Sequence, residues 1–204
     1  MKKILILIIV ILFFIIGFCV LKMPKKEKSE NKMLEGKNIL IVIAPQNFRD
    51  EELFTPKEYF ENLKANVVVA SLKKGTAKGM LGRTIEVEKT ISEISVDNFD
   101  AIVFPGGIGV DEFETYENEE YVNLAKEAFD KGKVIGAICL APKILANAGI
   151  LDGKNATVWE SGADYLKNKG VNYIKKDVVI SGKIVTGNNP GAAEKFAKEI
   201  AKLI

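Results

Sequence analysis

Short apolar runs alternate with amphipathic segments from Asn38 onward, and this alternation predicts an α/β domain. The apolar runs contain almost no polar residues, which is typical of strands in a parallel sheet whose two faces are covered by helices. The pattern therefore predicts a doubly wound, mainly parallel sheet with helices on both faces. The predicted strands are Ile39–Ala44, Val67–Ala70, Ala101–Phe104, Val134–Ile138 and Ala156–Val158, the predicted helices are Glu52–Leu63, Glu119–Lys131, Pro142–Ala148, Ala163–Asn168 and Ala192–Leu203, and Val178–Ile180 with Ile184–Thr186 is a predicted antiparallel hairpin.

The N terminus has a different pattern, because Ile4–Leu21 is a run of eighteen residues without a charge, flanked by lysines. Its length is close to the roughly 20 residues that span a bilayer as a helix. A cleaved signal peptide is the alternative, but its apolar run is usually only about 7 to 15 residues long, and no small-x-small cleavage site follows here. We therefore predict a transmembrane anchor over residues 1–22, a charged linker over 23–37 and the α/β domain over 38–204.

This anchor implies a single-pass membrane localisation and contact with the membrane through the N-terminal helix. The lysines that follow the apolar run, Lys22, Lys25, Lys26 and Lys28, slightly favour a cytoplasmic domain, but the sequence leaves the side open.

Charge and composition exclude several classes of function. Lys and Arg total 29 against 27 Asp and Glu, so the chain lacks the excess of basic residues that is typical of nucleic-acid-binding proteins. We therefore expect no nucleic-acid partner. It contains no histidine and two cysteines, Cys19 and Cys139, which excludes Cys-His and Ser-His-Asp catalytic groups. We therefore expect no metal site of the usual His and Cys type, no cofactor, and a free thiol at Cys139.

Cys139 lies directly between a predicted strand and a predicted helix, with Pro142 in the first turn of that helix. Small residues at Gly136, Ala137 and Ala141 leave room for a sharp turn, a pattern that predicts a nucleophile elbow. A helix N terminus would also stabilise the thiolate of such a cysteine. The alternative is a buried cysteine that acts as a small apolar side chain.

Two further segments fall at strand ends. The strand Ala101–Phe104 runs through Pro105 into Gly106-Gly107, where the backbone N–H of Gly107, with that of Leu140, could bind an oxyanion, although an ordinary tight turn has the same pattern. After the first strand, Asp50 and Glu51 are acidic residues at a helix start, where they complement the helix dipole.

Together these segments resemble the PfpI (intracellular protease) superfamily, which includes the Parkinsonism-associated deglycase and has a class I glutamine amidotransferase-like fold. The matching motifs are Phe104-Pro105-Gly106-Gly107, Ala137-Ile138-Cys139-Leu140-Ala141-Pro142 and Ile184-Val185-Thr186-Gly187-Asn188-Asn189-Pro190-Gly191. The resemblance implies a flavodoxin-like three-layer sandwich, a reactive Cys139, a hydrogen bond from Glu52 to its sulfur, and a homo-oligomer.

One departure from the superfamily matters, because its protease branch has histidine directly after the cysteine and this chain has Leu140. A second histidine of some relatives corresponds to Trp159. The resemblance thus favours a cysteine hydrolase or deglycase-type enzyme that acts on small carbonyl or acyl substrates or on protein adducts, rather than a protease. A thiol redox or stress sensor and a module that only binds or assembles remain as alternatives.

Overall fold

A computed structural model describes residues 33–204 of the chain. Its strands are β1 Asn38–Val42, β2 Asn66–Ser71, β3 Gly75–Lys78, β4 Thr84–Val87, β5 Lys89–Thr90, β6 Ala101–Phe104, β7 Val134–Ile138, β8 Asn155–Ala156, β9 Asn172–Tyr173, β10 Val178–Ser181 and β11 Ile184–Gly187. Its α-helices are α1 Asp50–Asn62, α2 Gly109–Glu112, α3 Glu119–Asp130, α4 Pro142–Asn147, α5 Ala163–Asn168 and α6 Ala193–Ala201.

Seven strands form the central sheet in the order β10-β11-β7-β6-β1-β2-β5. All neighbours are parallel except β10 and β11, which form the predicted antiparallel hairpin. The strands in the middle are buried along their whole length, because helices cover both faces of the sheet. The doubly wound, flavodoxin-like arrangement predicted from the sequence is thereby confirmed.

Helices α1 and α6 pack together over one face of the sheet, and α3 and α4 cover the other. The contact of α6 with β7 depends on Gly136, since a Cβ there would lie 2.5 Å from Cδ1 of Ile200 and 2.8 Å from Cζ of Phe196. This close approach sets the position of β7, the strand that leads into Cys139.

Two parts of the fold differ from the prediction. The segment predicted as a central strand at Ala156–Val158 forms only the two-residue strand β8, which pairs with β9 in a separate small sheet. The hairpin of β3 and β4 was not predicted, because its strands are mostly exposed and polar and lack the apolar run that marked the others.

The membrane predictions require correction. The predicted anchor, residues 1–22, lies outside the described residues, and none of the helices in residues 33–204 combines the length and apolar character needed to cross a bilayer. The fold class is therefore corrected to the α/β domain that residues 33–204 form, and the predicted transmembrane helix has no support in it. The single-pass localisation and the membrane contact, which were inferred from that helix alone, lose their support with it.

An ion pair that is buried on its lysine side joins the two helices that follow β6 and β7. Lys143 of α4 has a side chain only 9% exposed, and its Nζ lies 2.6 Å from Oδ1 of Asp111 in α2. The same ammonium group lies 3.5 Å from the ring centre of Tyr116, an attractive cation–π contact. The lysine thus couples the helix after β7 to the turn after β6.

We expect replacement of Asp111 to destabilise the fold more than replacement of Lys143. Asp111→Asn leaves the buried ammonium of Lys143 without its counter-charge and should lower the free energy of unfolding by about 3 kcal/mol. Lys143→Met leaves Asp111, whose side chain is 49% exposed, in contact with water and should cost about 1 kcal/mol. Urea unfolding of both variants checks this order, and a larger loss for Lys143→Met would contradict it.

Candidate active site

Three strand ends meet at one edge of the central sheet. After β1 the chain enters α1, whose first turn contains Glu52; after β6 it passes through Gly106 and Gly107; after β7 it reaches Cys139. Because β1, β6 and β7 are parallel neighbours, their carboxyl ends lie side by side. The structure brings together the four predicted site residues, Glu52, Gly107, Cys139 and Leu140, while their roles remain predictions.

The backbone of Cys139 is held in a conformation that few non-glycine residues adopt, with φ at +61°. Both of its backbone polar groups are bonded, since its N–H donates to the carbonyl of Gly187 at 2.9 Å and its carbonyl accepts from the N–H of Trp159 at 2.8 Å. These bonds offset the strain and fix the sharp turn between β7 and α4. Cys139 as a whole is 8% exposed at this turn.

The carboxyl group of Glu52 is fully buried next to this thiol. Its Oε2 accepts a hydrogen bond from the N–H of Gly106 at 2.9 Å, whereas its Oε1 has no hydrogen-bond partner. The carbonyl of Gly106 in turn accepts from the N–H of Arg49 at 3.0 Å, one turn before Glu52. The turn after β6 is thus attached to the start of α1 on both of its sides.

Glycine is required at both positions of this turn. A Cβ on Gly106 would lie 2.7 Å from Cβ of Cys139 and 2.9 Å from Oε2 of Glu52, so any side chain there would separate the pair. Gly107 has φ at +104°, and a Cβ there would collide with the backbone nitrogen of Arg49. The weak sequence signal of a Gly-Gly turn therefore marks a real close approach.

Burial dominates the electrostatics of the pair. It raises the pKa of the Glu52 carboxyl to about 7, even though the Gly106 N–H stabilises the charged form. It also raises the pKa of the Cys139 thiol to about 12, and the negative charge of Glu52 adds to this increase. The backbone N–H groups of Gly107 and Leu140 bond to the sulfur and lower the pKa of the thiol in part.

Glu52 and Cys139 therefore titrate as a coupled pair. The sequence predicted that the helix N terminus would favour the thiolate, but the pKa of the thiol is raised instead. Both pKa values are raised and that of the carboxyl is the lower, so the carboxyl ionises first and the pair then holds one negative charge and one proton. A proton moving from sulfur to carboxyl creates a thiolate without any histidine.

A pocket of about 160 Å³ opens over the thiol. Its lining residues are Arg49, Met80, Gly107, Ile108, Cys139, Leu140, Trp159 and Pro190. Within residues 33–204 no cluster of His, Cys, Asp and Glu side chains is arranged to hold a metal ion. The pocket gives access to the thiol of Cys139, and the carboxyl group of Glu52 lies buried behind it.

Sequence reasoning missed the contribution of Asp50 and of the β3–β4 hairpin. Asp50 is buried and accepts hydrogen bonds from the N–H groups of Leu81 and Arg83 at 2.7 and 2.9 Å, which fixes the hairpin against α1. The hairpin then places Met80 in the pocket wall. An acidic residue at a helix start gave no signal for this, because dipole complementation predicts the same residue.

Residues 37–203 match the DJ-1/PfpI family along their full length. The chain belongs to the DJ-1/PfpI family. A Methanocaldococcus jannaschii protein is 42% identical over 199 residues, which cover 97% of this chain and 95% of the relative. A Pyrococcus furiosus family member named deglycase PfpI is 33% identical over 165 residues, or 81% of this chain and 98% of the relative.

Solved structures of family members share the fold. The ThiJ/PfpI domain protein of Brachyspira murdochii superposes with a TM-score of 0.79 at 36% identity, covering 82% of this chain and 97% of that one. Drosophila melanogaster DJ-1beta superposes with a TM-score of 0.74 at 30% identity, covering 81% and 89%. The resemblance to the PfpI superfamily seen in the three sequence motifs is thereby confirmed.

Glu52→Gln should lower the pKa of the Cys139 thiol by about one pH unit or more. The carboxylate charge raises this pKa in the native pair, and glutamine retains the shape without the charge. The measurement is the pH dependence of iodoacetamide labelling in the full chain, read by peptide mass spectrometry so that Cys19 is counted separately.

Glu58→Gln is the matched control, because Glu58 belongs to the same helix but faces solvent, with a side chain 60% exposed. It should leave the labelling profile unchanged. An upward shift of the thiol pKa in Glu52→Gln would show that Glu52 acts as a proton donor to the thiolate instead of as a charge.

The raised pKa of Glu52 also predicts a stability change with a defined sign. The unfolded chain loses this proton near the ordinary pKa and the folded domain only near 7, so the ionised group destabilises the fold as pH rises through that interval. Glu52→Gln should therefore be more stable than the wild type by about 3 kcal/mol at pH 8 and nearly equal at pH 4. Urea unfolding at the two pH values checks this, and a difference that does not grow with pH would contradict it.

Proposed function

We propose that this protein is a hydrolase or deglycase-type enzyme in which Cys139 attacks small carbonyl or acyl substrates. The observation that carries the proposal is the buried pair of Glu52 and Cys139 at the base of a pocket, with two backbone N–H groups beside the sulfur. The names of relatives such as deglycase PfpI point to the same class of reaction.

The first step moves one proton within the pair. The carboxylate of Glu52 accepts the proton of the Cys139 thiol, and the sulfur electron pair forms a bond to the carbonyl carbon of the substrate. The π electrons of the carbonyl move to its oxygen, which becomes an oxyanion. A pKa near 7 suits Glu52 for accepting and returning a proton at neutral pH.

The N–H groups of Gly107 and Leu140 would stabilise the oxyanion, since they already converge on the sulfur to which the substrate binds. With an aldehyde, the return of the proton from Glu52 to the oxyanion gives a hemithioacetal. With an acyl substrate, the carbonyl re-forms, the leaving group departs with that proton, and water hydrolyses the thioester to an acid and the free thiol.

The structure gives less support to the thiol sensor than to the enzyme. Oxidation of a cysteine by peroxide follows its thiolate character, and the raised pKa of Cys139 leaves little thiolate at rest. In the enzyme, Glu52 can take the proton of the thiol while a carbonyl substrate is bound, so no resting thiolate is needed. The homo-oligomer implied by the family resemblance remains a prediction.

Cys139→Ser should lower turnover by about a thousandfold or more, because a serine hydroxyl beside a carboxylate lacks a base strong enough to activate it. The assay follows hydrolysis of p-nitrophenyl acetate and consumption of methylglyoxal by the full chain.

Cys19→Ser is the control for this variant, since it removes the other cysteine of the chain and should retain full activity. Undiminished turnover in Cys139→Ser, with the wild-type fold retained by circular dichroism, would exclude the proposed mechanism.

A further inference from the structure

The walls of the pocket over Cys139 are almost entirely apolar. Apolar side chains of Met80, Ile108, Leu140, Trp159 and Pro190 surround the thiol. Ile108 is 46% exposed and Trp159 45% exposed, so a large apolar surface faces water around the opening. A ligand that covers it gains roughly 25 cal/mol for each Å² of apolar surface removed from water.

The main chain at two positions of the pocket wall is held by hydrogen bonds within the domain. The N–H of Trp159 donates to the carbonyl of Cys139 at 2.8 Å, and the N–H of Ile108 lies 3.5 Å from the sulfur of Met80. The backbone of Trp159 is therefore bonded to the elbow, and the backbone of Ile108 contacts the side chain of Met80 in the hairpin. A preformed site loses little ordering entropy when it binds.

The charges around the pocket do not favour an anion. Arg49 is the charged residue of the lining, and its Nε and one terminal nitrogen are bound to both carboxylate oxygens of Glu51 at 2.8 and 3.0 Å. This fork neutralises the guanidinium group. The lining thus offers an anion no unpaired cation, and Glu52 behind the thiol adds negative charge once it ionises.

We propose that this pocket selects substrates whose reacting carbonyl carries an uncharged apolar arm and that it excludes anionic arms. The volume of about 160 Å³ suits a short branched alkyl group or a single ring, since a cavity of about 150 Å³ holds benzene. The inference rests on the proposed function, because it names the substrate class of the same site.

The test measures selectivity at the thiol without requiring turnover. The full chain is labelled with iodoacetate, iodoacetamide and N-isobutyl iodoacetamide, and labelling of Cys139 is followed by peptide mass spectrometry. Each rate is divided by the rate in unfolded protein, which removes the intrinsic reactivity of the reagent. We expect the isobutyl reagent to exceed iodoacetamide by about tenfold and iodoacetate to fall below it by about tenfold.

A matched pair of variants tests the role of the wall. Ile108→Lys places a positive charge at the pocket rim, while Ile180→Lys places the same charge on β10, at an equally exposed isoleucine outside the lining. Ile108→Lys should raise the relative rate of iodoacetate by about tenfold. Ile180→Lys should leave the three relative rates as they are in the wild type.

The outcomes separate this inference from the proposed function. Equal relative rates, or a preference for iodoacetate in the wild type, would overturn the apolar selectivity and leave the reaction in place. The expected selectivity without turnover of any aldehyde or ester would support the pocket preference and overturn the proposed function. Failure of all three reagents to label Cys139 would overturn both.

Discussion

One buried hydrogen bond holds the candidate site together, the bond from the N–H of Gly106 to the carboxyl of Glu52. It joins the end of β6 to the start of α1, and the thiol of Cys139 lies against both because β7 is the next strand. A Cβ on Gly106 would intrude between them. The carboxyl of Glu52 and the thiol of Cys139 can therefore be neighbours only because the start of α1 and the ends of β6 and β7 approach each other closely.

That pair is costly for the folded state. A carboxyl group without water and with one unbonded oxygen prefers its proton, which is why its pKa rises to about 7. The surrounding fold compensates through the large apolar core and through the bonds that hold Cys139 in its left-handed conformation. Strain and buried charge are concentrated at one strand edge, which is typical of functional sites.

Much of this was predictable from the sequence, and the remainder has physical reasons. Apolar runs gave the central strands, and a cysteine between small residues and Pro142 gave the elbow, because both patterns follow from local geometry. Lys143 gave no signal, since lysine is normally exposed and its burial depends on tertiary partners. The raised pKa of the thiol could not be predicted from the sequence either, because it is caused mainly by burial, whereas the sequence indicates only the helix N terminus.

The backbone bond between Trp159 and Cys139 has a consequence for how such a protein can diverge. It holds the wall and the nucleophile at a fixed spacing through main-chain atoms, so the identity of the side chain at position 159 is free to vary. The same is true of position 108, whose main-chain N–H contacts Met80. Substrate specificity can therefore evolve through substitutions of side chains at the pocket rim, while the positions of the reacting atoms are retained.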